Sequence, residues 1–165
     1  MQKKKSIVEI MQLSKNLYLS EVIKSITAKR LGITNEPTVE HLVNLKELAE
    51  NIFQPLRDYY GVPIYISSGY RSEALNKAIG GSKSSQHCKG QAIDIDRDGH
   101  SSPNNAEIFE YIKNNLDFDQ LIWEFGSNTN PDWVHVSYNN YGNQRKQVLV
   151  AYKDIRGKTR YKSYE

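Results

Sequence analysis

Two histidines and one aspartate carry the most legible chemistry in this chain. His87 and Asp94 lie in Ser85-Gln86-His87-Cys88-Lys89-Gly90-Gln91-Ala92-Ile93-Asp94, and His135 follows some forty residues later in Trp133-Val134-His135-Val136-Ser137. Imidazole nitrogen and carboxylate oxygen are both zinc donors, and three protein ligands leave a fourth position for water, as a catalytic site requires. In a strand beginning at Gln91, Asp94 shares a face with Ala92 and Asp96, while Ile93 and Ile95 point the other way. His135 likewise shares a face with Trp133 and Ser137, opposite Val134 and Val136, and His87 comes from the loop just ahead of the first strand. Any one of these residues, taken singly, is more ordinarily a hydrogen-bonded surface or core group. The set is far more specific than its members. Cys88 is a tempting extra ligand, but adjacent side chains rarely aim at one ion, so it reads as a buried or loop cysteine.

These residues need a scaffold, and the chain supplies one of ordinary size. Its 165 residues suit a single domain with one sizeable core. Ser20 caps a short helical pattern through Val22, Ile23 and Ile26 that stops at Gly32. Thr38 caps a longer one, with Leu42, Leu45, Ala49, Ile52, Phe53 and Leu56 on one face and Pro55 set to kink its end. The segment from Val62 to Ser68 reads as a strand, and Asn76 to Lys89 as a long loop of the kind that carries function. A strand at Gln91–Asp96, a helix near Asn105–Leu116, and strands at 120–125, 133–138 and 147–152 follow. Helices early and antiparallel strands late make this an α+β chain. Residues 1–16 read as an N-terminal arm, 17–152 as the catalytic domain, and 153–165 as a basic, partly disordered tail.

Charge excludes some functions. The 22 Lys and Arg against 19 Asp and Glu give a net charge of +3 scattered along the sequence, which is too mild and too dispersed for a nucleic-acid binder. A single cysteine allows no intrachain disulfide. No apolar run is long enough to enter a membrane as a spanning helix, and the Met-Gln-Lys-Lys-Lys start lacks the apolar stretch of a signal peptide.

The pattern Ser-x-His, Gly-x-Ala-x-Asp and a later His in a hydrophobic strand resembles the M15 family of zinc D-Ala-D-Ala peptidases. Ser67-Ser68-Gly69-Tyr70-Arg71-Ser72, Leu75-Asn76, Gly80-Gly81-Ser82 and Pro55-Leu56-Arg57 extend the resemblance, which spans Leu17 to Tyr152. It implies a Hedgehog/DD-peptidase fold, with N-terminal helices packed on a small antiparallel sheet. It also implies Zn2+ held by His87, Asp94 and His135, and hydrolysis of peptide bonds in peptidoglycan stem peptides or cross-bridges, as in carboxypeptidases and endolysins. By the same resemblance Asp132 is the general base, with Glu124 in reserve, and Arg71 contacts the developing oxyanion. Ser85 and Gln86 either hydrogen-bond substrate or cap their loop, and Trp133 and Tyr138 either wall the pocket or pack. The partner expected is wall peptide, with no nucleic acid, met by a monomer that is made in the cytoplasm and acts on the cell wall. The competing reading is a non-catalytic module of the same fold that binds wall or protein.

Overall fold

The computed structural model describes residues 7–165, so residues 1–6 of the expected N-terminal arm lie outside it. A short helix α1 (Ile7–Ile10) leads into a ribbon of β1 (Gln12–Ser14) and β2 (Leu17–Tyr18). Leu13 and Leu17 of that ribbon are buried in the main core. The helical pattern expected between Ser20 and Gly32 is two helices, α2 (Leu19–Ile23) and α3 (Ile26–Leu31). Ser25 separates them because its hydroxyl accepts from Ala28 N–H and caps the second.

Thr38 caps α4 (Val39–Leu48), its hydroxyl accepting from His41 N–H at 3.2 Å. One π turn (Ala49–Phe53) then carries the chain into α5 (Gln54–Tyr60), with Pro55 in its first turn. Proline lacks the N–H that the α ladder would use there, and a widened turn lets the helix continue instead of breaking. Next come β3 (Ile66–Ser68) and α6 (Glu73–Ala78), the latter ending inside the stretch expected to be all loop. A 3-10 turn (Gln86–Lys89), β4 (Ala92–Ile95), α7 (Asn105–Asn115), β5 (Gln120–Glu124), β6 (Trp133–Ser137), β7 (Gln147–Lys153) and β8 (Thr159–Ser163) complete the chain.

The architecture is α+β, as expected, but the sheet is larger than expected and not wholly antiparallel. Six strands run in the order β3-β4-β6-β5-β7-β8, and β5 pairs with β7 in parallel. The cause is a skipped strand. β6 ends beside the start of β5, and the loop 138–146 passes that end to begin β7 on β5's far side, so β7 must run with β5. Residues 153–165 are not a loose tail: Thr159–Ser163 pairs antiparallel with β7. The turn between them is held by Asp154, which accepts from the N–H groups of Arg156 and Lys158 and from Arg160 Nε. Arg160 and Lys162 sit on this outermost strand, where charge discourages further pairing.

Helices cover one face of the sheet. Leu45, Leu48, Ile52 and Leu56 from the α4–α5 rod and Ile108, Phe109 and Ile112 from α7 share a core with Ile93, Ile95, Val134 and Val136 of the sheet. The alternation that sends those strand residues inward sends Asp94 and His135 to the opposite face, where a cleft opens. No helix among the described residues is long and apolar enough to cross a membrane.

Candidate metal centre

Asp94 and His135 are direct cross-strand partners in the β4–β6 ladder. Residues so paired stand side by side on one face of a sheet, and here Asp94 Oδ1 lies 3.0 Å from His135 Nδ1. His87 arrives from the 3-10 turn. Gly90 ends that turn at a φ of 69° with its own N–H bonded to the Gln86 and His87 carbonyls, a left-handed conformation that favours glycine. A Cβ at Gly90 would also meet the His41 carbonyl oxygen at 2.6 Å. The turn therefore packs tightly on α4 and drops His87 over the strands.

The three donors converge. His87 Nε2 is 3.2 Å from Asp94 Oδ1 and 3.3 Å from His135 Nδ1. Ligand atoms about 2.0–2.2 Å from a tetrahedral zinc lie roughly 3.4 Å apart, so the residues fit such an ion without rearrangement. His87 Nδ1 is 2.7 Å from the Gly69 carbonyl. A carbonyl only accepts, which puts the ring proton on Nδ1 and leaves the Nε2 lone pair facing the other two donors. Burial pushes the Asp94 carboxyl up, but the charge and hydrogen bonds of His87 and His135 outweigh it and hold the group well below the usual carboxylate range. Among the described residues, these are the one cluster of three metal-competent side chains. Cys88 is half-buried and outside that cluster, and burial pushes its thiol pKa up, against the opposing charge of Arg71.

The cleft holding the cluster has a volume of about 1330 Å³, and Arg71, Ser85, Gln86 and Trp133 all line it. Arg71 lies inside the segment whose backbone is clamped by Asn35, which donates to the Tyr70 carbonyl and accepts from Ser72 N–H. Its own N–H donates to the His87 carbonyl at 3.2 Å, tying it to the ligand turn. The guanidinium donates to Asn76 Oδ1 at 3.2 Å, while Nε is enclosed with no partner. Gln86 is committed to a network, donating from Nε2 to Asp119 Oδ2 at 3.0 Å.

Two expected residues lie elsewhere. Tyr138 follows Val134 and Val136 in the alternation of β6, so its ring packs against the core and does not line the cleft. Asp132 is exposed in the turn before β6, and among the cleft-lining residues its place is taken by Glu124. The reason is register. Glu124 pairs with Trp133, and Ile122, two residues back, pairs with His135, so Glu124 emerges on the ligand face. Asp132 lies in the turn ahead of β6, where that alternation does not hold, and is not among the residues that line the cleft. Glu124 is 8% exposed, and burial, with the Asp94 charge adding to it, raises its pKa to about 7 against the pull of His135 and Lys153. A carboxyl poised near neutrality beside a metal-competent cluster is suited to take up and return a proton.

Sequence reading passed over Asp119 and Arg145 altogether. Asp119 is buried and accepts from Arg145 Nη2 at 2.7 Å at the cleft wall. Neither belongs to a periodic pattern, and their pairing depends on how the 138–146 loop folds back.

A family model described as Peptidase M15 matches residues 15–137, which carry all three candidate ligands, Arg71 and Glu124. No curated protein matches the chain.

Proposed function

Because the chain belongs to the Peptidase M15 family, whose members are metal-dependent peptidases, we propose that it is a zinc enzyme that hydrolyses peptide bonds in the stem peptides or cross-bridges of bacterial peptidoglycan. The observation that carries this reading is the convergence of His87, Asp94 and His135 in a cleft that also presents Glu124 and Arg71. The wall substrate rests on the resemblance of the motifs to D-Ala-D-Ala peptidases. The protein acts as a monomer.

Zinc held by His87, Asp94 and His135 would supply a water whose pKa falls from about 15.7 to roughly 7, and a Lewis acid for the scissile carbonyl. Glu124 takes the proton from the attacking water. It then returns that proton to the leaving amine, so one carboxyl serves as base and acid in turn. Its burial lets it bind the proton near neutral pH. Arg71, at the cleft wall and tied to the ligand turn, donates to the carbonyl oxygen as negative charge grows on it. The products are a new carboxyl and a new amine terminus. No covalent acyl-enzyme is needed.

Digestion of defined muropeptides by zinc-loaded protein, read by mass spectrometry, tests the proposal. New amine and carboxyl termini that a chelator prevents, with casein left intact, are the expected result. Binding of zinc with no muropeptide cut would leave a non-catalytic module of the same fold.

A further inference from the structure

Apart from the metal centre, the cleft contains one more group held in a fixed attitude by a buried charge. Arg145 sits on the 138–146 loop, outside the segment matched to the family. Its Nε donates to both oxygens of Asp119, at 3.1 and 3.0 Å, and its Nη2 donates to Oδ2 at 2.7 Å. The Arg145 backbone N–H adds a fourth bond to Oδ1 at 3.0 Å. Asp119 is itself immobile, with its side chain 3% exposed and its N–H bonded to the Ser137 carbonyl at 2.8 Å. One edge of the guanidinium is thus locked, which removes the rotamer entropy a free arginine loses on binding.

The Nη1 end is free. Nη1 makes no hydrogen bond among the described residues, and the side chain is 54% exposed where it lines the cleft. Nη2 also reaches Gln86 Oε1 at 3.4 Å, and Gln86 precedes the candidate ligand His87. The loop is anchored on its far side too, because Tyr141 Oη donates to Glu40 Oε1 at 3.2 Å. Both N–H groups of Nη1 are free, and the outward N–H of Nη2 is held only by the long Gln86 contact, so a carboxylate that displaces that contact meets two parallel N–H groups spaced for its two oxygens.

We propose that Arg145, positioned by Asp119 and Gln86, recognises a carboxylate of the peptide substrate within this cleft. The inference rests on the peptidase reading and names a specificity residue for it. The carboxylate is either the substrate's C-terminus or an acidic side chain, since both present the same pair of oxygens.

Binding to zinc-loaded Glu124→Gln protein, measured calorimetrically, separates these questions from turnover. Three probes are needed: a muropeptide stem with all carboxylates free, the same peptide as its C-terminal amide, and the same peptide with its side-chain carboxylate amidated. One amidated form should bind about 10- to 100-fold more weakly than the free acid, and which one identifies the source. Adding Arg145→Gln should erase that difference while leaving the weaker amide's affinity and the zinc content unchanged, and Arg145→Lys should restore only part of it. Equal binding of all three probes, or a loss in Arg145→Gln that weakens acid and amides alike, would reduce Arg145 to a clamp for its loop. Failure of every stem peptide to bind, together with no cleavage by the wild-type chain, would overturn the peptidase reading as well, whereas cleavage that ignores amidation overturns this assignment alone.

Discussion

The backbone N–H of Asp132 donates to the carbonyl of Glu124 at 2.9 Å, yet only Glu124 places its side chain in the cleft. The two carboxylates are neighbours through their main chains and strangers through their side chains. Proton transfer needs a group within hydrogen-bond reach of the reacting water, so the proposed base is Glu124, the one of the two carboxyls that lines the cleft. Glu124→Gln should lower kcat by on the order of 10²- to 10⁴-fold with zinc still bound, and Asp132→Asn should keep most of the activity. Metal content by atomic absorption beside steady-state rates decides it. The opposite ranking would return the role to Asp132.

The raised pKa of Glu124 has a stability consequence with a definite sign. Folded protein holds this proton up to about 7, against an ordinary value of 4.5, so the folded state binds the proton more tightly than the unfolded chain. That contribution is complete below the ordinary value and is lost as pH rises through the folded one. Metal-free protein should therefore lose stability between about pH 4.5 and 7 relative to Glu124→Gln, whose amide does not titrate. Zinc should shrink the difference, because a nearby cation favours the carboxylate. Urea midpoints of both proteins across that window are the measurement, and parallel curves would refute it.

What could be read without a structure follows a physical pattern. Strand alternation was enough to put Asp94 and His135 on one face, because the face a side chain takes in a strand is a local property, whereas His87, in a turn ahead of β4, was joined to them by donor chemistry and the family resemblance. The same rule, applied to Tyr138, puts it on the Val136 side. Glu124 needed more than local information, since its place depends on the register of β5 against β6. The parallel β5–β7 pair and the strand in the basic tail are likewise choices of a distant partner, which no window of sequence records. Arg145 and Asp119 meet across 26 residues of chain.

Asn105 shows how the supporting structure can be tested away from the chemistry. It is fully buried at the start of α7, and its Nδ2 lies 3.0 to 3.3 Å from Asp96 Oδ1, Asp98 Oδ1 and the Pro131 and Asp132 carbonyls. Its Oδ1 accepts from Arg97 N–H at 2.8 Å. One amide thus joins the loop after β4 to the turn before β6, the two strands that carry Asp94 and His135. Asn105→Ala leaves buried polar groups unpaired, at a cost of roughly 1–3 kcal/mol. Asn105→Asp should cost more, because it keeps the acceptor but sets a carboxylate against those of Asp96 and Asp98. Thermal unfolding should rank the wild type above Ala and Ala above Asp. A reversed order of the two variants would mean that the amide's donors are not what holds the loops.

Zinc should stabilise the fold through the three ligands acting as a unit. Each donor is positioned by a different element: His87 by its turn and the Gly69 carbonyl, Asp94 by β4, and His135 by β6. An ion bridging them ties the turn to the sheet and exists only in the folded state. At a free zinc concentration about 100-fold above Kd the gain is roughly 2.7 kcal/mol, which for a domain of about 150–250 residues raises Tm by on the order of 5–11 °C. Asp94→Asn retains the shape and one oxygen but removes the negative charge, so most of that shift should vanish. Asp132→Asn, exposed and outside the cluster, should show the full shift. Calorimetry of the three proteins with chelator and with zinc is sufficient. A shift in Asp94→Asn equal to that of the wild type would place the metal elsewhere.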